Sequence, residues 1–178
     1  MNYSIRKLLV SEKAVLDTFL YHAIYIPEGV ALPPFDIIYQ PDLQVYVKDF
    51  GEKKGDICFV AECEGKIIGA VWVRIMNDYG HVYDDMPSLA ISLLPEYRNN
   101  GIGTALMKKM LSSLRELGYK GVSLSVQKEN YACSMYKKLG FKTIKRKTKS
   151  ILWYILCRKT VSSLILRSSF AVPPYQTR

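Results

Sequence analysis

One segment constrains the fold of this chain more than any other. Ser88 to Leu94 is almost continuously apolar and is stopped by Pro95, the pattern of a strand buried on both faces. From Gly101 onward, Ile102, Leu106, Met110, Leu114 and Leu117 recur at helical spacing. They draw one apolar stripe on a helix that Gly118 ends. Gly121 to Val126 is again strand-like. Strand, glycine loop, long helix, strand is a βαβ crossover, so 88–94 and 121–126 are expected to lie parallel in one sheet.

The flanking segments predict strands of the other sense. Ile57 to Cys63 and Ile67 to Met76, around Glu64-Gly65-Lys66, carry the β-branched and aromatic pattern of a hairpin. Tyr3 to Leu8 reads as a first strand, and Ser11 reads as the N-cap of a helix bearing Val15, Phe19, Leu20, Ala23 and Ile24. Pro27 and Gly29 end that helix. A second short helix is expected from Pro41 or Asp42 to Phe50. Downstream, Asn130 caps a helix with Ala132, Met135, Tyr136 and Leu139 on one side, and Phe141 to Lys147 and Ile151 to Arg158 supply a last pair of strands. The fold class is therefore mixed α/β, with a mostly antiparallel sheet, one parallel pair and flanking helices. Residues 1–160 form a single domain, and 161–178 form a tail that is either one more strand over 161–167 or a loose terminus.

Composition narrows the function classes. With 49% hydrophobic residues in 178, the chain closes a core without staples. Its longest apolar run, Ile151 to Cys157, is far short of the roughly 20 residues that cross a bilayer. Glu12, Lys13 and Asp17 interrupt the N-terminal apolar pattern, which argues against a secretory signal and for a cytoplasmic protein. Cys58, Cys63, Cys133 and Cys157 form no C-x-x-C pair, so reduced thiols and no metal are expected. The net charge of +9 is uneven: Glu129 is the last acidic residue, and everything after it is basic or neutral. That third can be a solvated strand edge or a polyanion-docking patch. Without interleaved aromatics it gives little support to a nucleic-acid platform.

The chemistry lies in the loop Pro95 to Thr104. A helix start leaves its first amides unpartnered and its dipole favours anions. Gly101 and Gly103 let the backbone approach a phosphate closely, and Arg98 adds a cation. No lysine follows Gly103, so this is no Walker A loop, and Leu106 stands where a dinucleotide fingerprint needs a third glycine. On this window alone, an ordinary strand-to-helix turn remains open.

The stretch Arg98-Asn99-Asn100-Gly101-Ile102-Gly103 resembles the GNAT N-acetyltransferase superfamily, whose hallmark after the fourth strand is Arg/Gln-x-x-Gly-x-Gly/Ala. The similarity continues through Asn130, Ala132 and Met135-Tyr136-Lys137-Lys138-Leu139-Gly140-Phe141, and is strong over 88–147. The resemblance implies acetyl-CoA as cosubstrate. Its pyrophosphate would sit on Arg98, Asn99, Asn100, Gly101, Ile102, Gly103 and Thr104, its pantetheine along Ile91, Ser92 and Leu93, with Asn130 as a polar contact. It also implies that the parallel pair is splayed. A neutral amine attacks the thioester, β4 amides stabilise the oxyanion and a phenol protonates the sulfur. Tyr136 holds the family's position for that acid, the alternative being an aromatic packed without proton transfer. For the base, Leu89 to Leu94 offers no carboxylate; Asp85 is the first choice, with Asp84, His81 and Glu62 more simply read as solvated. The acceptor is an amine-bearing small molecule or peptide, met by the aromatic and acidic residues of 20–50. Alternatives are a non-catalytic acyl-CoA-binding module and a basic nucleic-acid-binding protein. Dimerisation through the C-terminal strands is left open.

Overall fold

A computed structural model describes residues 1–146 and 149–157; the expected tail, 161–178, lies outside them. The strands are β1 (Ser4–Lys7), β2 (Ile57–Cys63), β3 (Lys66–Arg74), β4 (Ser88–Leu93), β5 (Gly121–Gln127), β6 (Lys142–Arg146) and β7 (Ser150–Leu156). They form one sheet in the order β1-β2-β3-β4-β5-β7-β6. Every neighbouring pair is antiparallel except β4 and β5, the two ends of the crossover. The helices are α1 (Val15–Ala23), α2 (Pro41–Gln44), α3 (Ile102–Glu116) and α4 (Ala132–Lys138).

Strand alternation splits the core between the two faces of the sheet. Phe59, Ala61, Val71 and Val73 face α3, which contributes Leu106, Met107, Met110 and Leu114. Cys58, Val60, Ala70 and Trp72 face the other way, onto Leu16, Phe19 and Leu20 of α1 and onto Ile38. The β2–β3 hairpin turns at Glu64 and Gly65, both with positive φ (50° and 77°), the twist that a two-residue loop between right-handed strands demands.

Two expected helices are shorter than their sequence pattern. Ser11 caps nothing; residues 10–12 make a single 3-10 turn in which the Glu12 carboxylate returns to the Leu9 amide at 3.0 Å and to Arg6 at 2.7 Å. The α-helix proper starts at Val15. The second helix stops at Gln44 rather than Phe50: beyond it the amides of Tyr46, Val47 and Phe50 make turn bonds three residues back, Arg74 takes the Val45 carbonyl (3.2 Å) that the Asp49 amide would need and binds those of Lys48 (2.6 Å) and Asp49 (3.0 Å), and Asp49 turns to φ 53°.

Gly121 marks a tight approach between β5 and β7. A Cβ built there would lie 2.6 Å from the Ile155 carbonyl oxygen and 3.0 Å from Met86 Cε. Since a backbone atom cannot yield as a side-chain tip does, Gly121→Ala is expected to destabilise the fold by about 1–3 kcal/mol, read as a lowered thermal midpoint; an unchanged midpoint would show that β7 moves freely.

Candidate active site

β4 and β5 meet at a single register pair, Ser88 with Ser123, reinforced by the Ser123 amide donating to the Pro87 carbonyl at 3.1 Å. Beyond it they part. The fork opens into a cleft of about 1290 Å³ whose walls come from β4, β5, the loop before α3, the end of α1 and the face of α4. The Leu94 amide pairs with the Ile68 carbonyl toward β3. By strand alternation Ile91 and Leu93 therefore turn their main-chain groups into the fork, while the backbone of Ser92 faces β3. The Ser92 hydroxyl is buried against the Phe19 carbonyl at 2.6 Å, so this residue ties α1 to the sheet.

At the wide end of the fork lies the glycine loop. Asn99 and Gly101 are left-handed (φ 63° and 76°), and α3 begins with no side-chain cap. Among the described residues the amides from Gly101 to Thr104 have no protein acceptor; the first intrahelical bond runs from the Ala105 amide to the Gly101 carbonyl at 3.1 Å. A row of unpaired amides at the positive end of a fifteen-residue helix is an anion seat. Gly103 keeps it open, since a Cβ there would meet Leu93 Cδ1 at 3.3 Å and Met135 Sδ at 3.7 Å. Ile102 is buried and anchors the helix, and the Asn100 side chain returns to the Arg98 carbonyl at 3.0 Å. Arg98 is held by two carbonyls, Leu93 at 3.1 Å and His22 at 3.4 Å, which locks its charge beside the loop and joins the end of α1 to that of β4.

From the opposite wall α4 presents Tyr136 and, just before it, Asn130. Asn130 Oδ1 accepts from the Ala132 amide at 2.9 Å, leaving its NH2 group for a ligand. Tyr136 is 6% exposed, with its ring against Phe141. Its hydroxyl has no partner among the described residues, and burial pushes its pKa well above the ordinary phenol value. A phenol that holds its proton at neutral pH is a donor.

Asp85 does not join this group. Its exposed carboxylate pairs with Lys120 at 3.0 Å and lies outside the cleft lining. His81 hydrogen-bonds the Met76 carbonyl at 3.2 Å, and Glu62 pairs with Arg6 at 2.7 Å. The cleft instead receives residues that the sequence reading gave no role: His22, whose pKa is lowered by burial and by Arg98, and Tyr79. No spacing marks them, because they arrive from separate parts of the chain, His22 from the end of α1 and Tyr79 from the connection between β3 and β4.

The sequence model of the Acetyltransferase (GNAT) family matches residues 27–141. The chain belongs to this family. Among curated relatives, an N-alpha-acetyltransferase of Sulfurisphaera tokodaii is 35% identical over 96 residues, 49% of this chain and 57% of that protein. Streptothricin acetyltransferase A of Bacillus subtilis is 29% identical over 119 residues, 66% of this chain and 64% of its own. The match to the first thus spans little more than half of the relative's length. The GNAT fold is also that of the PaiA N-acetyltransferase of Thermoplasma acidophilum in complex with coenzyme A, at TM-score 0.65 and 20% identity over 86% of this chain and 98% of that one. Among the described residues no helix is long and apolar enough to cross a membrane, and no cluster of His, Cys, Asp and Glu has metal-holding geometry.

Proposed function

We propose that this protein transfers the acetyl group of acetyl-CoA to a primary amine of a small molecule or peptide, by direct attack in a ternary complex. The observation that carries the reading is the fork itself: unpaired amides at its wide end, free strand edge along one side and an unpartnered phenol on the other, all facing one cleft. The site fits the cosubstrate on this structure's own terms, because the cradle at Gly103 is one that a side chain would fill.

When bound, acetyl-CoA supplies an activated acetyl thioester. The amides of 101–104, the dipole of α3 and the guanidinium of Arg98 hold its diphosphate. The main-chain groups of Ile91 and the amide of Leu93, whose carbonyl is taken by Arg98, accept its extended arm as an added strand, and the Asn130 NH2 group reaches the same arm. The Ile91 amide is placed to receive an oxyanion. Tyr136 delivers a proton to the departing sulfur, and its elevated pKa keeps that proton in place until then.

Tyr136→Phe is expected to lower kcat by about 10²-fold while calorimetry finds acetyl-CoA affinity unchanged; full activity would reduce Tyr136 to a packing role. The reading as a whole is tested by thiol release from acetyl-CoA across polyamines, aminoglycosides, amino acids and peptides. Binding of CoA with no thiol release from any amine would make the protein a CoA-binding module instead.

A further inference from the structure

At the closed end of the fork a carboxylate is held by two hydroxyls. Asp78 Oδ2 accepts from Tyr46 Oη and its Oδ1 from Ser88 Oγ, both at 2.6 Å. No cation pairs with Asp78 among the described residues. Gly80 packs closely beside the carboxylate where β4 and β5 separate: a Cβ on it would stand 3.2 Å from Asp78 Oδ2, 3.2 Å from Ser88 Oγ and 3.4 Å from the Ser125 amide nitrogen. Tyr46, half-buried, belongs to the cleft wall together with Tyr79, Leu89 and Ala90. The chain Ser88–Asp78–Tyr46 therefore runs from the apex of the fork to the surface that an acceptor would touch.

A phenol has one proton and lone pairs besides. Because the Tyr46 proton points to Asp78, its oxygen can offer only acceptor capacity to the cleft, which suits an N–H donor. We infer that Tyr46 and Asp78 are the pair that takes the proton from the acceptor ammonium. The inference rests on the acetyl-transfer reading above and supplies the base that β4 lacks. The ammonium N–H donates to Tyr46 Oη; as that proton crosses, the Tyr46 proton moves to Asp78 Oδ2, leaving a neutral amine, a neutral phenol and a protonated carboxyl. The amine nitrogen then bonds to the thioester carbonyl carbon, the carbon–sulfur bond breaks, the sulfur leaves as a thiol with the proton supplied by Tyr136, and the second amine proton recharges Tyr136. Asp78 finally returns its proton to water. Tyr46 is thus a catalytic residue, and Asp78 acts through it as a positioning residue and proton store.

Burial first, then Asp78, pushes the Tyr46 pKa far above that of a free phenol, so the pair works by exchange of protons and never as a standing phenolate. The other titratable groups around it are committed elsewhere. The Tyr79 hydroxyl bonds Asp42 at 3.1 Å, Arg74 faces Asp56 and the carbonyls after α2, and His81 faces Met76 and Asp84.

The test is the pH dependence of turnover, with one accepted amine, for the parent protein, Tyr46→Phe and Asp78→Asn. The parent is expected to hold its rate through neutral pH, where the acceptor is an ammonium. Each variant should lose about 10²-fold there, with its rate climbing in proportion to the free amine, so that the deficit shrinks as pH rises. Acetyl-CoA affinity should stay at the parental value, and each variant should stay folded at the assay temperature with its unfolding midpoint lowered by a few degrees for the lost hydrogen bond. A variant that keeps the parental rate, or a deficit that is constant with pH, overturns the inference, since a purely structural loss would not follow amine ionisation. If the parent protein itself acetylates no amine, the broader reading fails and takes this pair with it, an outcome distinct from active variants.

Discussion

Gly103→Val is expected to yield a folded protein with acetyl-CoA affinity reduced on the order of 10²–10³-fold. The new Cβ would meet only side-chain tips, Leu93 Cδ1 at 3.3 Å and Met135 Sδ at 3.7 Å, and such atoms can shift. The γ-carbons are expected to add bulk beside the unpaired amides at the start of α3. A diphosphate held off those amides loses charge-assisted hydrogen bonds worth about 1.5–3 kcal/mol each, and two of them account for the affinity change. Gly101 acts differently: at φ 76°, with nothing within 4 Å of a Cβ, its substitution costs conformation and no volume. Gly101→Asn, which tolerates that backbone, should retain more affinity than Gly101→Val. Calorimetric titration with acetyl-CoA, beside a thermal melt for each variant, reads both. Parental affinity in a folded Gly103→Val protein would remove the glycine loop as the diphosphate seat.

The parts of this site that are local in sequence are the parts that sequence reasoning reaches. The crossover from β4 through α3 to β5 declares itself by a change of apolar period, and Gly101 and Gly103 by their spacing from the strand end. The fork is legible only as an implication of family resemblance, because its cause is long-range: the strands are pinned at Ser88 and Ser123 alone. The base is illegible for the same reason. Asp78 and Asp85 stand in one polar connection and look alike as letters, yet one meets Tyr46 across 32 residues and the other meets Lys120 across 35, on the outside. Helix length fails where tertiary structure competes for carbonyls. The pattern from Pro41 to Phe50 favours helix throughout, and nothing near it announces that Arg74 will claim the acceptors beyond Gln44.

That same arginine carries the largest stability effect expected of a single side chain. Arg74 and Asp56 form an ion pair with both side chains 1% exposed, joined at 2.8 and 2.7 Å, and the guanidinium lies 5.2 Å from the Phe50 ring centre. Removing Arg74 leaves a buried charge and the carbonyls of Val45 and Lys48 without donors, while the Asp49 carbonyl keeps the Glu52 amide at 3.3 Å, so Arg74→Met is expected to cost about 3–5 kcal/mol, roughly 10 °C in the thermal midpoint. Adding Asp56→Leu removes the stranded charge and should restore part of the loss; the carbonyls of Val45 and Lys48 stay unsatisfied, so recovery stays incomplete. Acid gives an independent check. Burial favours the neutral form of Asp56, but the Arg74 bonds and the Gly51 and Lys53 amides together outweigh it and hold the carboxyl below its ordinary range. A depressed folded pKa means stabilisation that is complete above the unfolded value, near pH 4, and that is lost as pH falls through the folded one. The gap between parent and Arg74→Met in urea unfolding should therefore narrow on acidification, and a gap constant with pH would show that the pair is not what Arg74 contributes. Since Arg74 fastens the turn that carries Tyr46, the same variant should lose amine turnover while its glycine loop still binds acetyl-CoA: the acceptor end and the cosubstrate end of the cleft are held by different parts of the fold.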